Sequence, residues 1–137
     1  MKVFVAGATG AVGRRLIPAL VDAGHEVTAL TRTPGKAPLL RAAGARPVVA
    51  DALDREAILG AVDAAAPDAV VHELTALSGL GNLRNPDRVF AATNRPRTEG
   101  TDVLLEAARA AGARRFVAQS FAGWPYAREG GPVKGED

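Results

Sequence analysis

Gly7, Gly10 and Gly13, in the run VFVAGATGAVGRRL, stand three residues apart where a short apolar stretch gives way to a helical pattern. A backbone that leaves a strand, turns sharply and enters a helix with its free N–H groups facing an anion makes three demands that glycine tolerates. This is the layout of a dinucleotide phosphate cradle. Spacing alone is weak, because with 15 glycines in 137 residues three at these offsets arise by chance roughly 0.2 times. The flanking elements decide.

On the strand side, Val3, Phe4 and Val5 within residues 2–6 form the nearly unbroken apolar run of a parallel strand buried on both faces. On the helix side, Val12, Leu16, Ile17 and Leu20 recur at helical intervals and Gly24 supplies a stop, which predicts a helix over residues 11–23. Pro18 removes one backbone bond from that helix, and a bend is expected there.

The same alternation continues along the chain. Residues 25–31 (HEVTALT) read as a second strand closed by the turn residues Arg32, Thr33, Pro34 and Gly35, and residues 36–43 make a short helix ended by Gly44. A third strand follows at 46–50 (RPVVA), and then a helix over 55–65 capped by Asp54 and stopped by Pro67. The fourth strand is 69–72. A loop (LTALSGLGNLRN) leads to a long helical segment that Asn85 caps and Pro86 opens, that Pro96 breaks or kinks, and that residues 103–111 carry to Gly112. The fifth strand is 115–119 (RFVAQ). Strands and helices alternating with short turns are the pattern of βαβ units, and so of a parallel sheet covered on both faces.

Composition narrows the function classes. The chain has no cysteine, which excludes thiolate nucleophiles, disulfides and zinc–thiolate sites and fits a cytoplasmic setting. The apolar run at the N-terminus is interrupted by glycine too early for a secretory leader, and no stretch reaches the roughly 18 apolar residues of a membrane helix. Fourteen of the 17 basic residues are arginine, but they are scattered, and aromatic residues make up only 4% of the chain. Nucleic-acid binding is therefore not expected.

Four segments, GATGAVG after strand one, VVADALD after strand three, DAVVHELTA at strand four and EGTDVLLEAARAAGARRFVAQS through the last helix and strand, resemble the short-chain dehydrogenase/reductase superfamily. The likeness is to its extended and atypical branch of epimerase/dehydratase-like proteins. It implies an α/β fold, a Rossmann-like doubly wound parallel sheet of about five strands in the order 3-2-1-4-5, without the family's later strands and small substrate lobe. An NAD(P)-binding domain over residues 1–120 and a loop-like tail over 121–137 are expected.

The resemblance implies that Gly7, Thr9, Gly10, Ala11, Val12 and Gly13 surround the cofactor's pyrophosphate. Roughly twenty residues after such glycines, a fold that prefers NAD places an acid on the ribose, whereas one that prefers NADP often places an arginine against the 2′-phosphate. This chain has Thr31 and Arg32, which favours NADP over NAD. Asp51 matches a position that meets the adenine in relatives, with Ala52 beside it; a turn-capping aspartate is the alternative. His72 lies in the segment that lines the nicotinamide side, the alternative being a packed strand-end histidine. No second ligand stands at metal spacing from it, so no metal site is expected.

The family's catalytic pair, a tyrosine and a lysine four residues later, has no counterpart here. Tyr126 is the only tyrosine, Gly130 follows it at four residues and Lys134 at eight. Ser120 matches the hydroxyl position at the tip of strand five, with Phe121 where some relatives carry a second serine. Asn94 stands one turn before the position, here Arg97, at which relatives often have asparagine. Trp124, Pro125 and Tyr126 fall where relatives begin the substrate pocket. Two functions follow: a cofactor domain of an epimerase, dehydratase or reductase working by nicotinamide hydride transfer on a small molecule, or an NAD(P)-holding sensor or relic without turnover. Strand five, as an open apolar edge, is expected to promote self-association.

Overall fold

Successive strand side chains point to opposite faces, and the nearly continuous burial of β1 and β2 shows that both faces of the one sheet are covered. A computed structural model describes residues 1–75 and 94–120. Asn85, Pro86 and most of the loop after strand four lie outside them, as do Phe121, Trp124, Pro125, Tyr126, Gly130, Lys134 and the rest of the tail. Five strands, β1 (Lys2–Ala6), β2 (Glu26–Thr31), β3 (Arg46–Val49), β4 (Ala69–His72) and β5 (Arg115–Ala118), form a sheet in the order β3-β2-β1-β4-β5. Every pairing is parallel; Val5 faces Ala29 on one side and Val71 on the other.

Among the described residues, α1 (Gly13–Asp22), α2 (Ala37–Ala42), α3 (Arg55–Ala65) and α4 (Glu99–Ala110) accompany them. On one face, Phe4, Ala6, Leu30 and Val70 pack with Ile58 and Val62 of α3 and Leu104 and Ala107 of α4. On the other, Val3, Val5, Val27 and Ala29 pack with Ile17 of α1 and Leu40 of α2. Adjacent residues of β1 thus serve opposite cores, as a doubly wound sheet requires. Full burial of each large apolar side chain is worth about 1.5–3 kcal/mol, and Phe4, Ile17, Ile58 and Leu104 are all at or below 1% exposure.

The helix ends follow their caps. Asp54 accepts the Ala57 N–H at 3.1 Å and opens α3, and α1, α2 and α4 close on Gly24, Gly44 and Gly112 with positive φ. Helix α3 instead closes on Ala66 at φ 42°, just before Pro67. Two expectations shift in detail, at the start of α1 and ahead of α2. Helix α1 begins at Gly13 and not at 11, because residues 10–12 stay in the turn, where the Gly10 N–H donates to Gly7 O at 3.0 Å. The helix stays continuous through Pro18, which is exposed, so that the carbonyl it leaves unbonded can be hydrated. Pro34–Lys36 form a separate 3₁₀ turn ahead of α2. After Pro96, a turn at Thr98 separates helical residues 94–97 from α4. Among the described residues no helix is long and apolar enough to cross a membrane.

Candidate functional site

In a parallel sheet with helices on both faces, the crevice opens at the carboxyl ends of the strands, where the order of connection reverses. Here that point lies between β1 and β4, and the ends of β1, β2, β3 and β4 border one cleft of about 730 Å³. Small-molecule and cofactor sites typically span about 300–1,000 Å³.

The three glycines do different work there. Gly7 has φ +92°, and a Cβ on it would lie 2.5 Å from the backbone C and O of Glu73, so the exits of β1 and β4 touch only because no side chain intervenes. Gly13 is buried under the turn, and its Cβ would lie 2.6 Å from the C and O atoms of Ala8. Gly10 is exposed, and its Cβ would meet only the Gly7 carbonyl, at 3.2 Å. Bare backbone therefore faces the cleft at Gly10, at the mouth of α1, where the Arg14 N–H bonds back to Gly10 O and the Arg15 and Leu16 N–H groups to Val12 O. This cradle, which a Cβ would fill, fits a phosphate-bearing ligand.

At the exit of β2, the buried Thr31 accepts the Thr33 N–H on its Oγ1 at 3.2 Å, which shapes the turn carrying Arg32. Arg14, Arg32 and Lys36 all border the cleft and all are exposed. At the exit of β3, Asp51 accepts the Leu53 N–H at 2.9 Å, so this carboxylate both shapes its own turn and lines the cleft. Arg95 borders the opposite wall, held in a two-pronged pair with Glu99 at 2.9 and 2.8 Å. The hydrogen bonds from Arg95 draw the Glu99 carboxyl below the usual glutamate value. Four cations against two carboxylates, Asp51 and Glu73, leave the lining positive, as an anionic ligand requires.

At the exit of β4, two polar groups lack partners. His72 is 4% exposed; its Nδ1 accepts the Leu74 N–H at 3.1 Å, which leaves the proton of the neutral ring on Nε2, and Nε2 is buried without a hydrogen bond. Burial holds this imidazole below its ordinary value, the charge of Arg97 adds to that, and the Pro96 carbonyl opposes it. Glu73 donates its backbone N–H to Ala6 O at 2.8 Å, while its Oε2 is buried with no hydrogen-bond partner. Burial pushes this carboxyl above the usual glutamate value.

Of the residues singled out in the sequence, Gly7, Thr9, Gly10, Ala11, Arg32, Asp51 and Ala52 meet around the cleft. Val12, Gly13, His72 and Ser120 do not line it: Gly13 packs beneath the turn, His72 is enclosed near Pro96, and Ser120 is exposed past the end of β5. Arg14, Lys36, Glu73 and Arg95 escaped sequence reasoning. Lys36 and Glu73 follow closely on strand ends, a position that the carboxyl-end rule flags. Among the described residues no group of three acidic or histidine side chains is placed to hold a metal.

The family described as NAD(P)H-binding matches residues 7–134. A 3-diazoavenalumate denitrifying reductase from a Streptomyces species is 56% identical over 137 residues, which are all of this chain and 43% of that protein. A 4-hydroxy-2-methyl-3-oxo-4-farnesyl-3,4-dihydroquinoline-1-oxide ketoreductase from Stigmatella aurantiaca is 34% identical over 117 residues, 85% of this chain and 32% of its own length. The chain thus spans less than half the length of these curated relatives. In fold it is similar to the UDP-glucose-4-epimerase of Stenotrophomonas maltophila, solved with bound NAD and formylated UDP-arabinopyranose, with a TM-score of 0.78 at 24% identity over 97% of this chain and 40% of that one.

Proposed function

The chain belongs to the NAD(P)H-binding family, and from that membership we propose that it is the cofactor-holding part of a reductase- or epimerase-type oxidoreductase that takes NADP in preference to NAD. The observation that carries this reading is the cleft itself: a glycine turn of bare backbone at the mouth of α1, flanked by Arg14, Arg32 and Lys36. Backbone N–H groups around Gly10 bind the pyrophosphate, with Thr9, Ala11 and Val12 on the same turn. Arg32, Arg14 and Lys36 hold a 2′-phosphate, which a lining acid at residues 31–33 would repel, and those positions carry Thr, Arg and Thr. Asp51 and Ala52 border the adenine. When bound, the nicotinamide supplies hydride chemistry.

Calorimetric titration of the chain with NADP and NAD tests this reading. NADP is expected to bind more tightly, and Arg32→Ala to weaken it roughly tenfold, the value of one charge-assisted hydrogen bond, while leaving NAD unchanged. Equal or tighter binding of NAD, indifferent to Arg32→Ala, overturns the preference.

The second reading, a module that holds the dinucleotide without turning it over, rests on the same cleft and is not better supported. Ser120 is the one candidate catalytic hydroxyl in the first reading. Oxidation of NADPH with a panel of carbonyl compounds and sugar nucleotides separates the two. Self-association also belongs to the first reading: β5 ends the sheet with Val117 53% exposed, and light scattering at micromolar concentration is expected to find more than monomer.

A further inference from the structure

Buried polar atoms in folded proteins nearly always have a hydrogen-bond partner, and an exception invites an explanation by function or ligand. Glu73 is such an exception, and it borders the cleft. Its backbone is clamped on one side by the hydrogen bond to Ala6 O and on the other by the close approach of Gly7, which fixes the place at the switch point from which the side chain borders the cleft. No arginine or lysine pairs with it among the described residues; Arg95, the cation nearest in the sequence that lines this wall, is bonded to Glu99. A carboxyl left in a low-polarity site without a cation is unfavourable unless a donor reaches it.

The sheet order indicates which donor. The cations Arg14, Arg32 and Lys36 gather at the exits of β1 and β2, whereas Glu73 leaves β4, on the other side of the glycine turn. A dinucleotide laid across the turn, with its pyrophosphate at Gly10 and its adenosine half toward Arg32, brings its second ribose toward β4. A phosphate there would be repelled by a carboxylate, but the vicinal hydroxyls of a ribose are donors that a carboxyl oxygen accepts. Resting on the cofactor reading above, we propose that Glu73 is a cofactor-binding residue whose carboxyl accepts hydrogen bonds from the hydroxyls of the second, nicotinamide-bearing ribose.

The test compares two ligands on the intact chain by calorimetry: NADP, which has the second ribose, and 2′,5′-ADP, which lacks it. Glu73→Ala is expected to weaken NADP roughly tenfold and Glu73→Gln by a smaller factor, since a neutral acceptor is the weaker one. Neither substitution is expected to move 2′,5′-ADP. Unchanged NADP affinity in both variants overturns the proposal, and so does an equal loss for the two ligands, which marks a merely structural role. Glu73→Gln keeps the shape of the side chain, so it decides the question if the alanine variant fails to fold. Failure of the unchanged chain to bind either ligand removes the cofactor reading and this proposal together. Binding by the unchanged chain with no effect of Glu73 removes the proposal alone.

Discussion

Gly7 and Glu73 meet backbone to backbone: a Cβ on Gly7 would stand 2.5 Å from the Glu73 carbonyl carbon and oxygen, at a φ of +92° that side-chain-bearing residues rarely adopt. The neighbouring atoms are main chain just past β4, tied back to Ala6, and cannot move aside as a flexible side chain would. Gly7→Ala is therefore expected to cost at least about 2 kcal/mol, from backbone strain together with the clash. In a domain of this size the thermal midpoint should fall by roughly 5 °C or more. A calorimetric scan reads this directly, and a midpoint within a degree of the parent would mean that β1 and β4 can separate without loss.

Gly10 and Gly13 should separate binding from folding. A Cβ on Gly13 would lie 2.6 Å from Ala8 backbone atoms, so Gly13→Ala is expected to destabilise by about 2 kcal/mol. At Gly10 the only neighbour is the Gly7 carbonyl at 3.2 Å, and Gly10→Ala should change stability by less than about 1 kcal/mol. Its methyl group would occupy the exposed face of the turn and should weaken NADP by more than tenfold. Denaturant midpoints and calorimetric affinities measured on both variants check the contrast.

Ala66 closes α3 in the left-handed region, at φ 42°, where α1, α2 and α4 use glycine. Alanine there bears a steric cost of about 1–2 kcal/mol, which glycine relieves, although glycine also has more unfolded-state freedom to lose. Ala66→Gly is expected to stabilise the chain by about 0.5–1 kcal/mol, seen as a higher urea midpoint with an unchanged slope. A lower midpoint would show that the Ala66 side chain contributes more than its backbone costs.

Local signals make the architecture legible in the sequence. Asp54 and Pro67 bracket α3 so tightly that its expected and observed bounds coincide at 55 and 65, and β4 likewise coincides at 69 and 72. The start of α1 was less legible, because Ala11 and Val12 have helical character in the sequence but are held in the turn by Gly10 and Gly7. The cleft was legible only at its glycine turn and at Arg32 and Asp51. Arg14, Lys36, Glu73 and Arg95 come from four separate stretches, and only the pairing of β1 with β2 and β4 assembles them. No local pattern announces a carboxyl that becomes significant by being enclosed, and Glu73 read as one letter of a strand-end motif.

His72 should make stability depend on pH on the acid side of neutrality. Its folded-state value is lowered from 6.5, first by burial and then by the charge of Arg97, with the Pro96 carbonyl opposing. As pH falls below about 6.5 the unfolded chain takes up this proton before the folded one does, so stability drops as pH falls through that window and on toward the lowered value. The slope from one such group is at most about 1.4 kcal/mol per pH unit. Glu73 acts in the opposite sense: its raised value means that the folded state holds a proton longer, so its contribution to stability declines as pH rises above 4.5. The two are separated by comparing variants. His72→Gln should melt lower than the parent at pH 7.5, because the Leu74 N–H loses its acceptor, yet its midpoint should fall less between pH 7 and pH 5. Glu73→Gln should leave that acid-side decline at least as steep. Parallel midpoint-against-pH curves for His72→Gln and the parent would show that the buried imidazole takes up its proton without cost to the fold.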